Sequence, residues 1–391
     1  MRREGEAVHR LAVAALVAAV PLGLFGCGLG GEEGGEPASA PGAQATPEAT
    51  PTPAPRARPP VRRLTVSVSG DLLPHLPIVQ RAATGGGGYD FAPLLRPLRP
   101  LIQGADLSLC HVETPLMPAA PAGYPVFSSP PALARGIKAT GWDACSTASN
   151  HALDRGQSGI AATIRSLRRA GLGHTGTATS ARRRRKPLIL RARGVRVGFL
   201  SYTATTNGFV PPHPWSVNLA RAGLILRDAR AARRAGAQAV IVNLHWGTEY
   251  ASQPDALQRA LARRLARSRA ITAVVGQHAH VVQPIRRVRG RWVVFGSGNL
   301  LSNQTTACCP AASQDGMVVR LHLRVQGRRA RVERIVYAPT WVRHPDYRVL
   351  PVGRALRRRQ ADAATLRASW RRTVGVAGRG RGLRPEPSRL P

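Results

Sequence analysis

The chain has 391 residues and a net charge of +37, with Lys138 and Lys186 its only lysines. That length allows one large or two ordinary domains, so the size of the core is not limiting. Aromatic residues are few, at 5 %, and neither an RNA-recognition signature nor zinc-finger spacing is present, so the charge does not read as nucleic-acid binding. Two readings of the charge remain: an anionic partner such as a cell-surface polymer, or a genome-wide preference for Arg and Ala codons.

The first ten residues, MRREGEAVHR, form a basic n-region, and LAVAALVAAVPLGLFG is an apolar stretch of signal-peptide length. It ends in Leu24-Phe25-Gly26-Cys27, which resembles a bacterial lipobox. Residues 1–27 are therefore expected to be a lipoprotein signal peptide, with a lipid on Cys27 as the membrane anchor. An uncleaved anchor and an ordinary secretory signal are the alternatives, and all three export the chain. Residues 28–60 are rich in Gly, Ala, Pro and Thr and read as a linker.

From Leu64 the chain alternates strand and helix. LTVSVS, ADLSL and DACST are predicted strands, and GQSGIAATIRSLRRAGL has helical spacing with a stop at Gly171. PLILRARGVRVGFLSYT predicts a hairpin about Gly194. The amphipathic LARAGLILRDARAARRAGA leads into the strand AVIVN, and PDALQRALARRLARSRA, with Pro254 in its first turn, leads into AITAVV. Antiparallel strands follow through Val342, then one charged helix over Gly353–Thr373. The folded domain is expected over 61–375. Residues 376–391, including GRGRGLRPEPSRLP, are expected to be disordered.

Polar blocks follow five of these strands: SGDLLPH, CHVETP, ASNHALD, NLHWGTEY and GQHAH. In α/β sheets, sites gather beyond the carboxyl ends of strands. Asp71 and Glu113 offer carboxylates, Asn150 a neutral oxygen, and His245, His278 and His280 imidazoles, which together suit one or two divalent ions of Mn, Fe or Zn. Alone, Gly-Asp is a turn, Asn-His a polar helix entry, and His245 a buried core histidine. The H-x-H pair is the strongest, because in an extended segment both rings face one side. His151 reads as a catalytic acid oriented by Asp154, three residues on. Cys110 and Cys145 both lie near strand ends and can be bridged if the strands are neighbours. The four cysteines beyond Cys27 could instead be thiolate ligands, and the adjacent Cys308 and Cys309 have no obvious role.

The ordered motifs G-D, H-V-E-T-P, S-N-H-A-L-D-R-G, H-W-G-T-E-Y, H-A-H-V-V-Q-P and F-G-S-G-N-L, from Leu64 to Val342, resemble the CapA family of poly-γ-glutamate capsule biosynthesis proteins. The resemblance implies a calcineurin-like metallophosphoesterase fold, a four-layer α/β/β/α sandwich. It implies a metal site of Asp71, Glu113, Asn150, His245, His278 and His280, with His151 as the acid near the leaving group. Three residues depart from the family pattern: His111 stands where Asn is usual, Ala279 where Pro is usual, and Leu73 where ordinary metallophosphoesterases carry a ligand histidine. His75 resembles a histidine sometimes found four residues after the Gly-Asp. Two functions are compatible with this set. One is an exported metal-dependent hydrolase acting on an anionic polymer or phosphoester; the other is a non-catalytic, polymer-binding accessory lipoprotein beside a membrane synthase or export partner.

Overall fold

The structure is a computed structural model that describes residues 59–390. The expected signal peptide, Cys27 and nearly all of the linker lie outside the described residues. Among the described residues fifteen strands follow in chain order: β1 (Val61–Leu72), β2 (Leu107–Val112), β3 (Ala144–Ser146), β4 (Gly173–Thr175), β5 (Leu188–Ala192), β6 (Val195–Thr203), β7 (Ala239–His245), β8 (Ala273–Gln277), β9 (Ile285–Val288), β10 (Arg291–Val294), β11 (Asn299–Leu301), β12 (Asp315–Gln326), β13 (Arg329–Arg343), β14 (Arg348–Pro351) and β15 (Leu383–Pro385). They form two sheets. One has the order β14-β13-β12-β1-β2-β3-β4, with β11 against β1 and β15 against β13; the other is β5-β6-β7-β8-β10-β9.

The sequence of β7 explains how the sheets stack. Ala239 and Ile241 face Val66, Val68, Leu109 and Val319 of the other sheet, in a core between the two. Val240, Val242 and Leu244 face outward onto Ile225 and Ala229 of the helix Ala222–Arg234 and Leu265 of the helix Ala256–Ala266. A strand covered on both faces has no polar side, which is why AVIV reads as an unbroken apolar run. The first sheet buries Cys110, Val112 and Cys145 beneath Leu133 and Ile137 of the helix Ala132–Thr140 and Leu167 of the helix Gly156–Arg169. Helix, sheet, sheet and helix give the expected four-layer α/β/β/α sandwich. Arg165, Arg168 and Arg169 are exposed on the outer face of the helix Gly156–Arg169.

Strands β1, β2 and β3 run parallel, as do β6, β7 and β8. Their carboxyl ends therefore open on one edge of the sandwich, where the polar blocks lie. Cys110 and Cys145 are register partners on β2 and β3, 4.4 Å apart at Cα, and are joined as a disulfide. Cys308 and Cys309 are joined to each other. The Cys110–Cys145 bond closes a separation of 35 residues, so replacing both cysteines by Ala should cost about 3–4 kcal/mol. Urea unfolding without reductant would test this, and an unchanged midpoint would refute it.

Two expectations about the carboxyl-terminal region are corrected. The single helix over Gly353–Thr373 is two helices, Val352–Arg357 and Ala363–Ala377. Asp362 starts the second by accepting from Thr365 N at 2.7 Å, an N-cap that breaks the first run. The tail, expected to be disordered, is packed as strand β15 beside β13. Leu383 is buried, Glu386 N donates to Tyr337 O at 2.7 Å, and Tyr337 Oη donates to Gly378 O at 2.7 Å. Tertiary contacts order a composition that local propensity alone leaves loose.

Candidate metal centre

Close backbone packing sets the position of the first carboxylate. Gly70 sits in β1 against the β10–β11 connection, and a Cβ there would overlap Gly298 O. The register of β1 with β2 shifts between Val68 and Asp71, a bulge that turns the Asp71 side chain into the opening between the sheets. Asp71 N donates to Gly298 O at 3.0 Å, which pins the bulge. Glu113 follows the last residue of β2, and its N–H donates to Leu72 O at 3.2 Å. Asn150 and His151 lie in the turn after β3. His245 closes β7.

His278 and His280 come together differently from the extended H-x-H expected. Strand β8 ends at Gln277, and both histidines have positive φ, +92° and +56°. They lie in a tight turn, so the two-residue alternation of a strand does not apply; their rings are nonetheless 6.1 Å apart. His278 N donates to Asp71 Oδ2 at 3.1 Å, which ties the turn to β1. Such left-handed conformations at non-glycine residues cluster at functional sites.

The six candidate ligands meet in one buried cluster. His245 Nε2 is 2.8 Å from Asn150 Oδ1 and 3.7 Å from Glu113 Oε1. His280 Nε2 is also 3.7 Å from Glu113 Oε1, and its Nδ1 is 3.5 Å from Asp71 Oδ2. The His245 and His278 rings are 4.5 Å apart. Asp71 and His245 are wholly buried, and Glu113 is 1 % exposed. The atoms of Glu113, His278 and His280 are near enough together to share one ion, as are those of Asp71, His111 and His245.

His151 is at the rim. Its Nδ1 lies 2.8 Å from Asp154 Oδ2, which also accepts from Phe127 N at 2.7 Å. The Phe127 ring stands edge-on between His151 and His75, at 4.7 and 5.4 Å. His75 Nδ1 is 3.0 Å from Leu73 O. Leu73 itself is buried in the core, and its N–H donates to Leu301 O.

Several partners were not singled out from sequence. Asn299, within F-G-S-G-N-L, sets Oδ1 3.0 Å from His280 Nδ1, while its Nδ2 donates to Ser313 O and Gln304 Oε1, both at 2.8 Å. Because Ser313 O can only accept, the amide orientation is fixed and Asn299 Oδ1 receives the His280 proton. Asn207 Oδ1 accepts from Asn150 Nδ2 at 3.2 Å, which leaves Asn150 Oδ1 facing inward. Ser146 contacts His111. The motif around Asn299 is visible in the sequence, but its role depends on a contact with His280 in the turn after β8.

Burial dominates the electrostatics. It pushes Glu113 well above the usual carboxylate range, against the pull of His280. Burial also lowers His75, His111 and His278 to about 4, and His245 well below the ordinary value. His280 goes the other way: burial lowers it, but Glu113 and Asp71 outweigh that and raise it to about 9. These shifts predict an optimum in the stability of the metal-free protein. Below pH 6.5 the unfolded chain takes up protons that the folded His75, His111 and His278 refuse, so stability falls toward pH 4. Above pH 6.5 the unfolded chain loses a proton that folded His280 keeps, so its contribution fades up to pH 9. Each such group changes stability by up to about 1.4 kcal/mol per pH unit. Thermal unfolding in chelator from pH 4 to 9 should therefore peak near neutrality; a flat profile from 6.5 to 9 would contradict the His280 assignment.

A family model described as "Bacterial capsule synthesis protein PGA_cap" matches residues 65–304. The chain is 25 % identical over 276 residues to the capsule biosynthesis protein CapA of Bacillus anthracis, covering 68 % of this chain and 65 % of that protein. It is 27 % identical over 193 residues to the PGA biosynthesis protein CapA of Bacillus subtilis, covering 49 % and 50 %. It is 31 % identical over 178 residues to a probable polyglutamine synthesis accessory protein of Mycobacterium tuberculosis, covering 41 % and 45 %. The chain thus spans between 45 % and 65 % of the length of these curated relatives. Among solved structures, a calcineurin-like phosphoesterase from Bacillus subtilis matches 80 % of this chain and 100 % of that one, at 15 % identity and a TM-score of 0.46. A 5'-nucleotidase precursor from Thermus thermophilus matches 69 % and 54 %, at 14 % identity and a TM-score of 0.42.

Proposed function

The chain belongs to the bacterial capsule synthesis family PGA_cap, and on that premise we propose that it is an exported protein of capsule or poly-γ-glutamate synthesis with a metal-dependent hydrolase-type site. The substrate class is an anionic polymer or phosphoester. The N-terminal n-region, apolar stretch and Cys27 support lipid anchoring on the outer face of the cytoplasmic membrane.

One observation carries the metal reading. Asp71 Oδ1, both Glu113 oxygens and His278 Nδ1 are buried with no hydrogen-bond partner among the described residues. Buried carboxylate oxygens are costly unless a donor or cation compensates them. A mixed set of carboxylate, amide oxygen and imidazole fits Mn, Fe or Zn. Asp71, Glu113, Asn150, His245, His278 and His280 would hold the ion or ions. When bound, a divalent cation supplies Lewis-acid polarisation of a substrate oxygen and makes water more acidic.

The remaining chemistry belongs to the chain. Asp154 accepts from His151 Nδ1 and so directs His151 Nε2 toward the rim, where it can hand a proton to a leaving group. Phe127 holds the His151 ring edge-on and limits its rotation. Asn207 keeps Asn150 Oδ1 turned inward. A second reading, a non-catalytic metal- and polymer-binding accessory protein, is favoured by Leu73, which buries an aliphatic side chain where a phosphatase histidine would stand.

The test is elemental analysis of purified protein, followed by assays on phosphodiesters and γ-glutamyl polymers. The metal-loaded wild type should cleave at least one class, and His151→Ala should retain metal while losing about 10²–10⁴-fold in rate. A metal-loaded wild type that cleaves neither class leaves the accessory reading. A protein without metal sinks both.

A further inference from the structure

We infer that His111 and Ser146 form a tautomer relay that lets His245 turn an unprotonated Nε2 toward the centre. The inference deepens the metal-centre reading and rests on it. His111 departs from the Asn usual at its position, and its ring lies close enough to Asp71 and His245 to be taken for a ligand. Its hydrogen bonds assign it another role.

Ser146 Oγ, His111 and His245 form an unbroken chain. Ser146 Oγ is 2.8 Å from His111 Nδ1, His111 Nε2 is 3.0 Å from His245 Nδ1, and His245 Nε2 is 2.8 Å from Asn150 Oδ1. An acceptor that cannot donate stands at each end: Asn150 Oδ1 at one, and Cys110 O, 3.1 Å from Ser146 Oγ, at the other. One proton lies between each pair of neighbours, so the whole chain has a direction. If the protons point toward Asn150, His245 Nε2 carries hydrogen and cannot ligate. If they point toward Cys110, Ser146 donates to Cys110 O, His111 Nδ1–H to Ser146 Oγ, and His245 Nδ1–H to His111 Nε2. His245 Nε2 is then a free lone pair facing Asn150 Oδ1 and Glu113 Oε1.

Both directions hold three protons, one each on Ser146, His111 and His245. The two directions therefore differ only in tautomer, with the same number of protons and no net uptake or release. The Cys110 carbonyl makes the ligating direction available by accepting from Ser146. In that direction the His111 Nε2 lone pair is already occupied by His245 Nδ1–H, so His111 cannot also be a ligand. His111 and Ser146 are thus positioning residues behind His245, as hydrogen-bond partners commonly are behind a ligating imidazole. Asn299 serves His280 in the same manner.

The test uses the full-length protein with Zn²⁺ alone. Nitrogen–proton correlation spectra of the Zn²⁺-loaded wild type should show both His111 and His245 protonated at Nδ1, with only His245 bearing the shift of a metal-bound Nε2. Zn²⁺ affinity by competition with a chromophoric chelator should fall about 10–100-fold in His111→Leu. It should fall only a few-fold in His111→Gln, whose carbonyl can still accept from His245 Nδ1. Ser146→Ala should lose more than Ser146→Thr, which keeps the hydroxyl. A metal-shifted His111 resonance, a His111 protonated at Nε2, or equal losses in the Leu and Gln variants would overturn the relay while leaving the metal centre intact. Wild-type affinity in a folded His111→Leu would do the same. A wild type that takes up no Zn²⁺ or Mn²⁺ overturns both, and the spectra of the wild type alone decide the matter if the variants fail to fold.

Discussion

Glu113→Gln should empty the centre of metal with little effect on the metal-free fold. Both Glu113 oxygens are buried and unpaired by hydrogen bonds, and the carboxyl is pushed well above its usual range by burial. Without a cation, that carboxyl is a cost to the folded state. Gln has the same shape and carries no charge, so relief of that burial cost opposes the loss of the attraction to His280, and the chelated variant should stay within about 1 kcal/mol of the wild type. Metal binding should change more. Loss of an outer partner of a ligand already costs about 10–100-fold in affinity, and loss of a buried carboxylate ligand should reach or exceed the upper figure. The comparison is a melt in chelator beside a melt in excess Mn²⁺ or Zn²⁺. Wild type should gain stability with ion concentration, whereas the variant should not respond. Retained metal, or a variant markedly less stable in chelator, would remove Glu113 from the centre.

The largest structural effect is expected at Gly276. A Cβ added there would overlap Phe295 O and crowd Trp246 Nε1. That carbonyl is fixed, because Trp246 Nε1 donates to it at 2.8 Å, and Ser297 N donates to Gly276 O at 3.0 Å. Two strands would have to separate to admit one methyl group. Gly276→Ala should therefore cost about 3 kcal/mol and carry His278 away from Asp71, with loss of metal. Gly223→Ala is the control: it lies in the helix Ala222–Arg234 with nothing near its missing Cβ. It should be neutral or stabilising by up to about 1 kcal/mol. Equal melting temperatures for the two variants would contradict the packing argument.

Strands β7 and β8 could be read from the sequence because burial on both faces leaves an apolar signature. Asp71 could be read because the glycine before it marked a backbone turn. Elsewhere the deciding contacts are far apart along the chain. The turn at His278 and His280 has left-handed backbone at non-glycine residues, a conformation that local sequence does not favour. It is held by Asp71 from β1 and Asn299 from β11. Ser146 is an unremarkable strand serine until β2 is laid beside β3. The tail is illegible locally for the same reason: its Gly, Arg and Pro have no strand propensity, and β13 supplies the order.

The connection between Asp71 and His278 spans 207 positions, and it joins the first sheet to the second. Contacts of that span form late, since the chain between them must be closed first. No single sheet holds the full set of candidate ligands: Asp71 and Glu113 belong to one side, and His245 and His278 to the other. A half-made chain therefore has no complete set of candidate ligands. An ion held by residues of both sides would therefore bind only after the two sheets have docked.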